Sequence, residues 1–226
     1  MSTPKRDPSE VRRRLLNEAA RVLSEGGPAA LSARRLAKEA ETSTMAVYTH
    51  FGSMPELVRA LTREGFDRFL VRVEAVPRND DPVAELAELC GVYQAFARAE
   101  RDVYAVLFGG STLLGFTLTD EDRAMGVAVL RHPRDAIRRC ITAGRFRRGA
   151  DPDLLVRQLF CQMHGLAQLD HVGYLVGVHG PDRVLAAMIQ DFAVAAGDPA
   201  AAATRSVAAG LGRGGSPDRG RPDLPG

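Results

Sequence analysis

Four dipeptides constrain this chain more than any other feature. Asp7-Pro8, Asp81-Pro82, Asp151-Pro152 and Gly180-Pro181 each precede a stretch in which apolar residues recur at intervals of three and four. An Asp side chain satisfies the orphan amides of a first helical turn, and Pro, which has no N–H, suits the first helical position. No run alternates apolar and polar residues with the β-branched enrichment of a strand. The chain therefore reads as all-α.

The first helix opens as a capping box, Asp7 with Glu10. It carries Val11, Leu15, Leu16, Ala19, Val22 and Leu23 along one stripe, leaves Arg12, Arg13, Arg14 and Arg21 in water, and stops at Gly26-Gly27-Pro28. Ser32 caps a short second helix, Ala33 to about Ala40, with Leu31 and Leu36 in the positions of a hydrophobic staple. After the break Glu41-Thr42-Ser43, Ser43 caps a third helix from Thr44 to about His50, closed by Gly52. Ser53 with Glu56 opens a long fourth helix through Leu57, Leu61, Phe66, Phe69 and Val73. Further helices are expected at about 82–98, 101–108, 120–131, 134–147, 152–177 and 181–196, with Pro133 marking a kink or break. Arg145, Arg147 and Arg148 followed by Gly149 resemble a helix carboxyl terminus.

Charge separates the ends of the chain. Residues 1–52 hold nine Lys and Arg against six Asp and Glu, whereas residues 53–226 hold 21 against 22. That asymmetry suits nucleic acid and equally an ordinary solvated face. The polar amino terminus has no apolar h-region, and no stretch is long and apolar enough for a membrane span. Cys90, Cys140 and Cys161 include no C-x-x-C pair and read as reduced thiols of a cytoplasmic protein. There is no Gly-rich phosphate loop, nucleophile elbow or His-Glu-x-x-His, so no enzyme and no cofactor is expected.

Spacing gives the charge a meaning. Three short helices, the second and third joined by a three-residue turn, form a helix-turn-helix, whose third helix enters a DNA major groove about 12 Å wide. Val47 and Phe51 hold one side of that helix to a small core. Thr44, Met45 and Thr49 present small or hydrogen-bonding groups on the other, and Tyr48 and His50 flank it within reach of phosphate oxygens.

The stretch Leu31 to Leu61 resembles the amino-terminal domain of the TetR family of ligand-responsive transcriptional repressors. It reads Leu-Ser-Ala-Arg-Arg-Leu-Ala-Lys-Glu-Ala, then Ser-Thr-Met-Ala-Val-Tyr-Thr-His-Phe-Gly-Ser, then Glu-Leu-Val-Arg-Ala-Leu. The resemblance implies double-stranded operator DNA as partner and DNA-facing residues Ser32, Arg34, Arg35, Ser43, Thr44, Met45, Tyr48, Thr49 and His50. Two positions depart from the family pattern. Glu41 stands where the turn commonly has Gly, asking a non-Gly residue for φ > 0 at about 1 kcal/mol. Met54 stands where a phosphate-clamping Lys is usual, which leaves either fewer phosphate contacts or a replacement from Arg34, Arg35 or Lys38.

Further on, Ile141-Thr-Ala-Gly-Arg-Phe, Asp151-Pro-Asp and Phe160-x-x-x-His164-Gly165-Leu166 are similar to a carboxyl-terminal subtype with a Trp-x-x-x-His-Gly motif, Phe160 occupying the Trp slot. The resemblance implies a helical second domain that dimerises through its last two helices and holds a small-molecule effector of unknown identity. Phe66, Phe69, Phe96, Tyr104, Phe108, Phe116, Met125, His164 and Tyr174 are the candidate pocket residues. Cys161, His164, Gln168 and His171 fall within about 80° on one helix face, but an i, i+7 His pair without a converging carboxylate suits a pocket wall or subunit contact better than a metal. Gly165, Gly173, Ala186 and Ala187 permit close helix approach. The expected domains are a helix-turn-helix at 1–52, a helical effector-binding and dimerisation domain at 53–197, and a Gly- and Pro-rich disordered tail at 198–226. The competing function is a helical DNA-binding activator or architectural protein with no effector.

Overall fold

The computed structural model describes residues 7–108 and 119–214, and among them every regular element is helical. In chain order these are α1 (Pro8–Gly26), α2 (Ala33–Glu39), α3 (Thr44–Phe51), α4 (Met54–Glu74), α5 (Pro82–Ala99), α6 (Arg101–Phe108), α7 (Asp120–Ala128), α8 (Arg131–Thr142), α9 (Pro152–His171), α10 (Pro181–Ala196) and α11 (Ala200–Gly214). No helix of the described residues is long and apolar enough to cross a membrane.

The chain forms two compact units, Met1–Arg68 with Glu100–Gly126, and Phe69–Ala99 with Val127–Gly226. The division falls inside α4, not at Gly52, and α6 and α7 belong with the helix-turn-helix. Contacts across the first unit explain this. Ser24 Oγ donates to Asp102 at 2.5 Å, joining α1 to α6. Gly65 on α4 lets α6 approach so closely that a Cβ there would lie 2.7 Å from Val103. Arg59 and Arg63 on α4 reach the fully buried Asp122 on α7 at 3.5 and 3.8 Å. Burial pushes the Asp122 carboxyl up, but the amide and hydroxyl of Thr119 and the Arg59 guanidinium outweigh it and hold it below the usual carboxylate range.

α1 begins as expected at Asp7, although the carboxylate accepts from the Ser9 amide at 2.9 Å rather than from the third residue on. Leu15, Leu16, Ala19, Ala20, Val22 and Leu23 form its buried stripe. Gly27, at φ 67, turns the chain away.

In the second unit α5 is the central helix, with α8, α9 and α11 packed around it. Its first nine residues are all buried, including Glu85 and Glu88. Each carboxylate has a cation: Arg139 donates to Glu85, and Arg213 to Glu88 at 2.9 Å. Pro133 lies in the first turn of α8, where a missing N–H breaks no bond. That helix ends at Thr142 with Gly144 at φ 71, so Arg145, Arg147 and Arg148 lie beyond it and Gly149 is not its cap. α9 stops at His171, short of the expected 177, because Gly173 takes φ 76 and Gly177–His179 forms a separate 3-10 turn.

The segment from Asp198 to Gly214, expected as disordered tail, is ordered; residues 215–226 lie outside the described residues. Its alanines favour helix, and its glycines serve contact rather than flexibility. Gly210 faces α5 so closely that a Cβ would sit 2.2 Å from the Ala84 carbonyl oxygen. Ala203, Ser206 and Val207 are buried. The start of α11 is fixed by a polar knot: Arg145 donates to both oxygens of the buried Asp198 at 2.6 and 2.7 Å and to Ser206 Oγ at 2.9 Å, and Ser206 donates to Asp81 at 2.6 Å. A Gly- and Pro-rich composition usually marks disorder, and long-range pairing overrides it here.

Candidate nucleic-acid interface

The interface is built by hydroxyl caps on consecutive short helices. Ser32 Oγ accepts from the Arg35 amide at 3.2 Å, Ser43 Oγ from Ala46 at 3.1 Å, and Ser53 Oγ from Glu56 at 3.3 Å. Each lies three residues before its donor, the geometry of an N-cap to N3 bond. Between α2 and α3 the chain reverses through Ala40–Ser43: the Thr42 amide returns to Ala37 O at 2.8 Å and the Glu41 amide to Lys38 O at 3.1 Å. Glu41 takes φ 48, among the described residues the one non-Gly residue with positive φ. The departure from Gly seen in the sequence is thus a real backbone demand.

Sequence reading left Arg14 in water, yet it holds this turn. Its guanidinium donates to the carbonyl of Ala40, the C-cap of α2, and pairs with the Glu41 carboxylate at 3.5 Å. A cation at a helix carboxyl terminus is favourable, and here it also anchors the strained residue. Nothing in the spacing of the arginine run Arg12–Arg14 marks which one turns inward.

The faces of α3 divide as expected. Val47 and Phe51 are buried; Met45 is 72% and Tyr48 48% exposed, and Thr44 and Thr49 are exposed. Thr49 Oγ1 donates back to Met45 O at 2.8 Å, which leaves its lone pairs facing outward as acceptors. His50 is half-buried against Phe51, ring centroids 6.2 Å apart, and Arg12 covers the same Phe51 ring at 5.5 Å. On α2, Ser32, Arg34 and Lys38 are exposed and Arg35 half-buried. The nearby acid Glu39 is engaged by Arg21 at 2.9 Å, which also pairs with Glu18 and Glu25. Arg34 and Lys38 have no ion-pair partner among the described residues. Met54, in place of the usual Lys, is half-buried at the start of α4.

The candidate pocket residues are not gathered by one unit. Phe66, Tyr104, Phe108 and Met125 belong to the first, where Tyr104 and Phe108 pack with ring centroids 4.7 Å apart. Phe69, Phe96 and His164 belong to the second, with Phe69 and Phe96 5.0 Å apart. Phe116 lies outside the described residues. Tyr174 is a correction: at 77% exposure it sits in the turn after α9, on the outside. The polar stripe of α9 also separates. Cys161 is exposed, His164 stacks on Phe160 at 6.1 Å, and His171 donates from Nε2 to Ala97 O at 2.8 Å. Among the described residues no three His, Cys, Asp or Glu side chains are grouped to hold a metal ion.

A capped three-helix unit with a solvent-facing third helix defines the class: a helix-turn-helix DNA-binding protein. Residues 15–61 match the family model described as bacterial regulatory proteins, tetR family, and residues 86–192 match the tetracyclin repressor-like C-terminal domain. The chain belongs to the TetR family of transcriptional regulators, with a DNA-binding and a ligand-binding domain. No functionally curated protein matches it. Among solved structures it is similar to a protein of unknown function from Rhodococcus sp. RHA1, at 29% identity over 86% of this chain and 99% of that one, TM-score 0.71. The TetR family regulator PfmR from Thermus thermophilus is 22% identical over 82% and 100% of the chains, TM-score 0.67. AibR in complex with isovaleryl coenzyme A and operator DNA is 19% identical over 80% and 97%, TM-score 0.63; at these identities the last two attest the fold.

Proposed function

We propose that the protein is a homodimeric repressor that places α3 of each copy in successive major grooves of a palindromic operator and is released by a small-molecule effector. The observation that carries this is the split of α3, with Val47 and Phe51 locked inward and Thr44, Met45, Tyr48 and Thr49 offered to solvent on a capped, anchored helix. Thr44, Met45 and Thr49 face base edges; Tyr48, His50, Arg34, Arg35 and the exposed serines Ser32 and Ser43 meet phosphates. Lys38, exposed one helical turn from Arg34, supplies the positive charge that Met54 does not.

Support for pairing comes from the outward faces of α9, its C-cap Val172 and α10. Leu154, Leu169, Val172 and Val194 are exposed apolar residues, and Gly165 between them has nothing within 4 Å of where a Cβ would stand. Small and apolar groups left open on neighbouring helices suit a second copy better than water. Regulation then follows from differential affinity: an effector favouring a conformation with another reading-head separation draws the population off DNA.

Fluorescence anisotropy on a palindrome from the gene's own upstream region tests this reading. Binding is expected to weaken steeply and log-linearly with salt. A flat salt response contradicts it.

A further inference from the structure

The second unit encloses an amide oxygen that its own helices leave unsatisfied. Gln94, on α5, is 2% exposed. Its Nε2 donates to the Met163 carbonyl on α9 at 2.8 Å, while Oε1 is sealed from solvent and accepts from no donor among the described residues. The orientation is fixed by chemistry, since a carbonyl only accepts and the reversed amide would set two oxygens against each other. Two other unpaired buried atoms of this unit, in Arg134 and Arg213, differ in kind. Their guanidinium groups already pair with Asp153 at 2.7 Å and Glu88 at 2.9 Å. Gln94 holds a whole acceptor, two lone pairs, without a partner, and a buried acceptor in that state is a standing penalty unless something donates to it.

The same two helices, with Phe69 of α4, carry a row of flat groups. Tyr93, the neighbour of Gln94, meets Phe160 edge-on at 6.2 Å and Phe69 edge-on at 5.6 Å. Phe160 stacks with His164, the neighbour of Met163, at an interplanar angle of 22°. Burial disfavours charge here: it pushes the His164 imidazole below its ordinary value and the thiol of Cys90, one turn earlier on α5, up to about 12. Arg72 covers the Phe96 ring at 5.1 Å.

We propose that Gln94 Oε1 is the hydrogen-bond acceptor for the effector, and that the effector presents an O–H or N–H donor on a flat, uncharged apolar body held against the rings of α5 and α9. This rests on the effector-responsive reading above and adds the chemistry of the ligand and the residue that selects it. Aromatic edges and faces accept a planar apolar body without a charge partner, and a single buried acceptor discriminates a donor-bearing molecule from its methyl analogue.

The test is calorimetry of the full chain with two matched pairs, phenol against toluene and benzyl alcohol against ethylbenzene, each exchanging O–H for CH3. Wild type is expected to bind the hydroxyl member roughly tenfold more tightly, the contribution of one hydrogen bond. Gln94→Met, of similar length and apolar, is expected to erase that preference with little change in melting temperature, because removal of the unpaired oxygen offsets loss of the Nε2 bond to the Met163 carbonyl. If wild type binds both members of each pair equally, or binds none of the four, the proposal is overturned whatever the variant does. A preference that persists in Gln94→Met also overturns it, since the oxygen is then satisfied by water alone. Operator release by the same compounds is scored separately and decides the regulatory reading, not the role of Gln94.

Discussion

The reading head and the carboxyl-terminal helix are both small, polar-looking segments, and they are held in different ways. The turn between α2 and α3 is fixed mostly by bonds that reach three to five residues along the chain, at Ser32, Ser43, Ser53 and Thr42. α11 is fixed by Arg145 to Asp198, 53 residues apart, and by Ser206 to Asp81 and Arg213 to Glu88, each 125 residues apart. Local bonds are individually replaceable, each contributing about 1 kcal/mol. A buried long-range pair is cooperative, because removing one partner strands the other.

The largest expected effect follows from that difference. Arg145→Ala leaves Asp198, wholly buried, as an uncompensated charge and is expected to destabilise the protein by about 3 kcal/mol, measured by denaturant unfolding. The knot also sets a pH dependence. Burial pushes the Asp81 carboxyl up, but the Ser206 hydroxyl, the Ala84 amide and Arg145 together bring it below its ordinary value. A carboxyl lowered by folding contributes stability that is present above its unfolded pKa, about 3.9, and lost as pH falls through the folded value. Wild type should therefore lose stability on acidification more steeply than Arg145→Ala.

Next in size is Gly210→Val, which drives a side chain into the Ala84 carbonyl. It should cost about 2 kcal/mol and raise amide exchange across α11; unchanged exchange would show that α11 is not tightly seated on α5. Ser43→Ala removes one cap and should cost about 1 kcal/mol, with operator affinity falling while α11 protection stays intact. The smallest effect sharpens the comparison from the other side. Glu41→Gly relieves the positive φ and should stabilise by about 0.5 kcal/mol, in thermal unfolding, and Arg14→Ala should destabilise wild type more than it destabilises the Glu41→Gly variant. Equal losses in both backgrounds would separate Arg14 from the strained turn.

How legible each region was in the sequence follows from the same distinction. Ser32, Ser43 and Ser53, with Val47 and Phe51, all act within a few residues, so spacing exposed them, whereas the demand placed on Glu41 was visible only through the resemblance to a family whose turn commonly has Gly there. Asp198, Ser206 and Gly210 take their meaning from partners far along the chain, and composition alone made a helix look like a tail. Arg14 was misplaced for a related reason, since its partner turn lies 26 residues on and its neighbours Arg12 and Arg13 carry the same charge. The division inside α4 was hidden because α6 is joined to α1 by Ser24 and Asp102, a contact no local pattern announces. Gln94 gave no sequence signal at all; a polar residue on an apolar helix becomes notable only when its oxygen is found buried and unpaired.

Dimethyl sulfate footprinting on the upstream palindrome tests the central claim most directly, because guanine N7 lies in the major groove and adenine N3 in the minor groove. Insertion of α3 from two copies predicts N7 protection in two symmetry-related patches about one helical turn apart, with N3 unchanged. Protection confined to N3, or to a single unpaired patch, would contradict it.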